Sequence, residues 1–280
     1  MHCVNVALGS NNPVGSQAFN PVNSNKILNT QDRASCQVHL NYPPAASYYA
    51  ASSAMQACPT REALEGEFDA DIAVIGGGIA GCSSALHLAK RGYRVAVLEA
   101  RFVGYGASGR SGGQTIFGLA ASQKALAAQV GALDARRLFD LSVEALDLTQ
   151  SLIREHGIDC DYRPNHVHVA TKPRHLDELQ QWIHELHDEY GYGSARLLNR
   201  AELQSHVRSD RYLGGILDSR SGHLHPLKYT QGLARGAEPR VCAFSRTHRR
   251  LGTRMDGKSW CARRMAACAA GTWCYAATPI

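Results

Sequence analysis

Several things are missing from this 280-residue chain, and each absence excludes something. No uncharged apolar run reaches the ~18 residues a membrane-crossing helix needs. The start of the chain lacks the basic-then-apolar order of a secretory signal and has too few arginines for a transit peptide. None of the nine cysteines forms a C-x-x-C pair or a zinc-like spacing, which favours a reduced, cytoplasmic setting over a disulfide framework. Acid is nearly absent from residues 239–280, which hold eight of the 30 Lys/Arg and one of the 24 Asp/Glu. The other residues carry 22 Lys/Arg against 23 Asp/Glu, so the net charge of +6 is a property of the tail. With no recognition motif or interleaved aromatic platform beside it, that basicity does not argue for nucleic-acid binding.

What is present falls into three regions. Residues 1–44 are rich in Asn and Ser with little periodicity and read as a disordered extension. Residues 45–238 alternate strand-like and helix-like segments. Strands are expected at Ile72–Ile75, Val95–Glu99, Ile158–Tyr162, His166–Ala170 and Leu213–Leu217. Helices are expected between the first two strands, over Leu126–Glu155 as one long element, from Pro173 to about Tyr190, and from Pro226 toward Arg235. Asn199 with Glu202 forms a cap pair opening a short helix. Such alternation predicts an α/β fold. Residues 239–280 hold four of the nine Cys and two of the three Trp, show no sustained period, and read as an unstructured basic tail.

The most informative stretch is "VIGGGIAGCSSALHLAKRGYRVAVLEA", Val74–Ala100. Gly76, Gly78 and Gly81 make G-x-G-x-x-G between a strand and a helix. The first glycine permits the tight turn, the second lets backbone approach a pyrophosphate, and the third lets helix and strand pack closely. The unpaired N–H groups at the helix start, and its dipole, favour an anion there. Glu99 closes the second strand, where a carboxylate can accept hydrogen bonds from both hydroxyls of an adenosine ribose. An acid there disfavours a 2′-phosphate, so NADP is the least suitable dinucleotide. A second glycine-rich loop follows directly, "RFVGYGASGRSGGQ", Arg101–Gln114. NAD would not need it, whereas a longer cofactor continuing past the first turn would. An NAD-dependent dehydrogenase, or a nucleotide-binding module using only the first βαβ unit, is the competing reading.

These motifs, with "ASYYAAS" (Ala46–Ser52), "GIDCDY" (Gly157–Tyr162) and "GGILDSRSGHLHPLKYTQGLA" (Gly214–Ala234), occur in an order that resembles the FAD-dependent oxidoreductases of the D-amino-acid-oxidase type, in particular the gamma-glutamylputrescine oxidase subgroup. The resemblance implies a Rossmann-like FAD-binding domain with part of an α+β substrate domain, incomplete at its C-terminal side. It implies oxidation of a C–N bond of an amine, with hydride passing to the flavin, O2 as acceptor, and aldehyde and hydrogen peroxide as products. By the same resemblance Gly76, Gly78 and Gly81 bind the FAD pyrophosphate and Glu99 the ribose. Ala107, Ser108, Gly112, Gly113 and Gln114 line the cofactor toward the flavin, and Arg110 lies near the phosphates. Ser111 stands where the family has Asn, which alters the fine positioning of the flavin. No catalytic residue follows from the motifs. His223 and His225 in "GHLHP" are weak candidates facing the substrate side, with a structural turn as the alternative. His166 and His168 share a strand face without a third metal ligand and read as solvated or half-buried. Cys82 and Cys160 read as small buried hydrophobes.

The tail does not continue the family pattern in its printed frame. Trp and Met each have one codon, which limits what other frames can encode. Starting each codon of "DGKSWCARRMAACAAGTWCYAATPI" at its third base permits R-E-V-V-V-R-T-P-H-G-R-V-R-C-R-H-L-V-L-C-G-N-A-Y, a strand, a turn and a strand ending on a glycine. A frame change near Gly236–Arg240 is therefore expected, leaving a truncated and inactive copy that is poorly soluble and releases no peroxide from amines. The oligomeric state is not legible.

Overall fold

The computed structural model describes residues 4–6, 47–53, 66–241, 243–246, 252–255, 259–262 and 266–275. The extension at 1–44 that the sequence reads as disordered lies outside these apart from Val4–Val6 (β1), a strand.

The glycine motif sits in a six-stranded sheet. Gly66–Ile75 (β2) leads through the turn into Ile79–Lys90 (α2), and the chain returns as Val95–Glu99 (β3), paired parallel to β2. Ile72, Val74, Val95 and Val97 are buried under Ala85 of α2. This is the continuous apolar strand pattern that a sheet covered on both faces requires. On the outer side of β3 runs Ala243–Arg246 (β8), also parallel. On the free edge of β2 lies Ala266–Tyr275 (β11), parallel, with Gly252–Met255 (β9) and Ser259–Ala262 (β10) completing an antiparallel meander. The described residues of 239–280 form four strands, where the sequence predicts an unstructured tail. The reason is general: a buried parallel strand such as β2 needs partners for its backbone N–H and C=O groups on both edges.

The second sheet is organised around Gly214–His223 (β7), longer than the strand expected at Leu213–Leu217. Arg163–Ala170 (β5) pairs along one edge, with a register shift between Pro164 and His166. The other edge is shared by Gln114–Thr115 (β4) and Ala195–Asn199 (β6), and β1 pairs outside β5. Over this sheet pack Gln123–Val130 (α3), Ala132–Glu155 (α4) and Pro173–His184 (α5), around a core of Phe139, Leu179, Ile183, Leu186 and Tyr192. The single long helix expected at Leu126–Glu155 is two helices, broken at Gly131, whose φ of +85° is compatible with glycine and not with helix continuation. Ile158–Tyr162 is not a strand: Asp161 has φ of +52°, and Ile158 and Cys160 instead pack as buried plugs beneath Pro226–Ala237 (α7). The helix from Pro173 finishes in a π turn at Glu185–Glu189. The cap pair forms as expected at Arg200–Gln204 (α6): Asn199 Oδ1 accepts from the Glu202 N–H and Glu202 Oε2 from the Asn199 N–H.

Candidate cofactor site

The glycine turn is built so that no side chain could replace Gly76 or Gly81 without strain. Gly76 has φ of +102° and donates its N–H to Leu98 O at 2.8 Å, tying the turn to β3. A Cβ on Gly81 would stand 1.9 Å from Gly76 O, and one on Gly78 would stand 2.8 Å from Ser108 Oγ. The backbone therefore approaches as closely as a dinucleotide turn demands. Glu99 reaches across from the end of β3: its Oε2 accepts from the Gly77 N–H at 2.6 Å and its Oε1 from the Arg101 N–H at 2.9 Å. The acid and the glycine bend are thus a single constellation, although 22 residues separate Gly77 from Glu99.

The second glycine loop lies directly over the first. Gly104 N–H donates to Gly77 O at 3.0 Å, and Ser108, in a 3-10 turn with Ala107, accepts at Oγ from the Ile79 N–H at 3.0 Å. Gly78, the N-cap of α2, has no side-chain cap of its own, so Ser108 supplies from another element an oxygen at the helix start. Gly113 has φ of +68°, and a Cβ there would lie 2.1 Å from Leu224 O. From this point a cavity of about 230 Å³ opens between the loop and α4, lined among others by Ile79, Ser111, Gly113, Gln114, Ala145 and Tyr229. An elongated ligand anchored at the first turn can follow the second loop into it. The glycine cradle and the cavity fit a dinucleotide that extends beyond its diphosphate.

Arg110 is exposed; its Nε donates to Tyr105 O at 3.0 Å and its guanidinium lies 4.8 Å from the Tyr105 ring, which Arg101 also approaches at 4.3 Å. Gly112 has nothing within 4 Å of where a Cβ would be, so its backbone is not closely approached. Residues the motifs did not reveal complete the loop from behind: Leu227 closes on Gly104 and Gly109, and Thr230 Oγ1 lies 3.4 Å from Ser108 O. Their only sequence trace is a Pro-initiated helix after "GHLH".

The histidines are placed by the two sheets. His225 is the N-cap of α7, its ring nitrogen accepting from the Lys228 N–H at 3.2 Å. His223 pairs in register with Gln114 on one side and Arg163 on the other. His166 is buried, correcting the solvated reading, and neither ring nitrogen has a hydrogen-bond partner among the described residues. Its ring lies 4.5 Å from that of His168, as the shared strand face predicted. Burial, reinforced by His166, pushes His168 down to about 4. Opposite His166 across the ladder is Asp218, buried and accepting from the Tyr192 hydroxyl at 3.0 and 3.1 Å. No group of three His, Cys, Asp or Glu among the described residues could hold a metal ion. Cys82 and Cys160 are buried, and burial pushes the Cys160 thiol up to about 11, which leaves it inert. No helix of the described residues is long and apolar enough to cross a membrane.

Comparison with known proteins agrees with this geometry. Residues 71–278 match the family model described as FAD dependent oxidoreductase, DAO. The chain is 43% identical over 166 residues to a probable oxidoreductase OrdL of Haemophilus influenzae, covering 59% of this chain and 38% of that one. It is 39% identical over 188 residues to gamma-glutamylputrescine oxidoreductase of Escherichia coli, covering 67% and 43%. The chain therefore spans about two fifths of the length of the curated relatives it matches. Among solved structures, L-amino acid deaminase from Proteus myxofaciens superposes with a TM-score of 0.64 at 24% identity, covering 79% of this chain and 48% of that one. Glycine oxidase from Bacillus cereus gives 0.56 at 21%, covering 74% and 55%. At these identities the likeness is one of fold. The glycine bend, its acid, the second loop and the match over residues 71–278 lead to one conclusion: the chain belongs to the DAO family of FAD-dependent oxidoreductases.

Proposed function

We propose that this chain holds FAD and forms part of an oxidase for amines or amino-acid-like compounds of the gamma-glutamylputrescine kind. The net reaction takes an amine, O2 and water to an aldehyde, a released amine and hydrogen peroxide. The observation that carries the reading is the stacking of the two glycine loops, tied by Gly104 N–H to Gly77 O and by Ser108 to Ile79, with Glu99 at their common edge. FAD, when bound, supplies the two-electron acceptor. The chain's own residues bind and orient. Gly76, Gly78 and Gly81 admit the diphosphate to the start of α2, Glu99 accepts from the ribose, and Ser111, Gly113 and Gln114 border the cavity toward the flavin. Leu146, Leu224, Pro226 and Tyr229 give that cavity apolar walls, which exclude water from the reacting end. Purification with FAD present should yield a protein whose bound cofactor absorbs in the visible. A colourless protein that retains NAD instead would overturn the assignment.

Glu99→Ala tests the anchor directly. It removes the acceptor of two backbone N–H groups and of the ribose, and should weaken FAD at least about tenfold, the cost of one charge-assisted hydrogen bond. Flavin fluorescence titration reads the change; an unaltered affinity would place the adenosine elsewhere.

The side chains of residues 239–280 are read as the product of a frame change. The alternative frame supports this, because its T-P-H-G turn falls over residues 262–266, between β10 and β11, and its final glycine follows Tyr275. Sequencing the coding DNA across codons 230–245 decides it: codons unable to yield that string end the idea.

A further inference from the structure

His225 stands between two residues of the cavity wall, Leu224 and Pro226, but its ring turns to other tasks. Its backbone N–H donates to Cys160 O at 2.7 Å, and its ring Nδ1 accepts from the Lys228 N–H at 3.2 Å, capping α7. Its Nε2 lies 3.1 Å from Ser52 Oγ, on the helix Tyr48–Ser52 (α1). The Ser52 hydroxyl donates its proton to Tyr48 O at 2.6 Å, so it is free only to accept from the ring. One protonation state satisfies every group: a neutral imidazole with the proton on Nε2. The Tyr49 ring meets it edge-on at 4.9 Å, which seats α1 against α7.

The first turn of α7 is also the backing of the second glycine loop. Leu227 Cδ1 occupies the space that a Cβ on Gly104 or Gly109 would need, at 2.8 and 2.9 Å. Thr230 Oγ1 donates its proton to Pro226 O at 2.8 Å and lies 3.4 Å from Ser108 O, and Ser108 Oγ accepts from the Ile79 N–H at the start of α2. A chain of contacts therefore runs from α1 through the imidazole and α7 to the anion end of the cofactor site.

We propose that neutral His225 is a positioning residue for the cofactor, bolting α1 to α7 and holding the second glycine loop over the first, so that acidification releases loop and cofactor together. This rests on the FAD reading above. A second proton would make Nδ1 a donor facing the Lys228 N–H, and the bond between them would be lost. The ionisable groups around the ring are Lys228 of α7, Asp161 of the segment before β5, and Tyr49 of α1; Lys228 and Asp161 pair with each other at 2.7 Å. Burial, with Lys228 adding to it against Asp161, holds His225 below the ordinary imidazole range. Folding thus favours the neutral ring, and its contribution, whole above the ordinary value of about 6.5, is lost as pH falls toward and through the lowered one. Asp161 is itself held low by Lys228 and stays ionised in that window.

Other buried histidines titrate in the same direction, among them His156 and His166, so the pH step must be assigned by substitution. FAD affinity of the full chain is measured by flavin fluorescence from about pH 8 to about pH 5, the histidine range. The wild type should lose about tenfold on acidification, the scale of one lost helix cap. His225→Asn, whose carbonyl oxygen accepts from Lys228 without titrating but which lacks the Nε2 bond to Ser52, should bind between the wild type and His225→Ala at neutral pH and show no step on acidification. His225→Ala should bind weakly at every pH. Amide hydrogen exchange of the FAD-free chain gives a second readout: protection of α1 and of Lys228 should drop with pH in the wild type and stay flat in His225→Asn. If the His225→Asn profiles superimpose on the wild type in both measurements, the proposal is overturned. Failure of the wild type to bind FAD at any pH overturns the cofactor reading instead, and the exchange profile then decides the latch by itself.

Discussion

Gly81→Ala should abolish FAD retention and cost about 3 kcal/mol or more of stability, the upper end of what overpacking does. The added Cβ would lie 1.9 Å from Gly76 O, 3.1 Å from Gly76 C and 3.5 Å from a Val74 methyl. The first two are backbone atoms of a residue at φ of +102° whose N–H is already bonded to Leu98 O, so the turn has no soft side chain to move aside. Relief requires lifting the start of α2 away from β2, which also pulls the Ile79 N–H off Ser108 and opens the anion site. Urea denaturation and flavin retention after desalting read the two effects. Gly193→Ala is the control, since nothing lies within 4 Å of its Cβ position and it should shift stability by no more than about 0.5 kcal/mol. A Gly81→Ala protein as stable and as yellow as the wild type would mean that strand and helix do not meet at this turn.

Phe139→Ala should be the most damaging substitution outside the glycine loops. Phe139 is 2% exposed, with its ring 4.4 Å from Tyr190, 5.7 Å from Phe117 and 6.0 Å from Tyr192. Emptying that volume should cost about 3–5 kcal/mol, a large share of the ~5–15 kcal/mol that holds a typical domain together. The effect reaches the cavity through α4, because the Ser142 hydroxyl donates to Phe139 O at 2.6 Å and accepts from the Gly118 N–H at 2.8 Å, and Ser142 is part of the cavity wall. Chemical denaturation should show the loss; less than about 1 kcal/mol would mean that α4 is held by something other than this aromatic cluster.

The parts of the fold legible in the sequence are those set by local chemistry. The G-x-G-x-x-G turn, the Glu99 terminus, the Asn199–Glu202 cap pair and the Pro-initiated helices at Pro173 and Pro226 all carry their reasons within a few residues. Arg110 and His166 show where that ends. The alternation of His and Val at 166–169 correctly puts both imidazoles on one face, but which face is covered depends on α5, whose Trp182 sits 5.0 Å from His168. Likewise nothing near Arg110 announces that its guanidinium will lie over the Tyr105 ring and bond that residue's carbonyl. The strand expected at Ile158–Tyr162 failed because an apolar alternation marks burial without saying whether the chain pairs or plugs. Burial beneath α7 decided it. The roles of Leu227 and Thr230 were invisible for the same reason: they act across more than a hundred residues of chain.

The carboxylate at the end of β3 is already gripped by the Gly77 and Arg101 amides within the protein itself. Its rotamer is therefore frozen when the polypeptide folds, and the entropy of ordering it is not charged to association. Under the proposed function an incoming adenosine meets a receptor that is set beforehand, so capture at that end should follow rigid-body encounter kinetics, leaving any slow adjustment to the flavin half of the ligand.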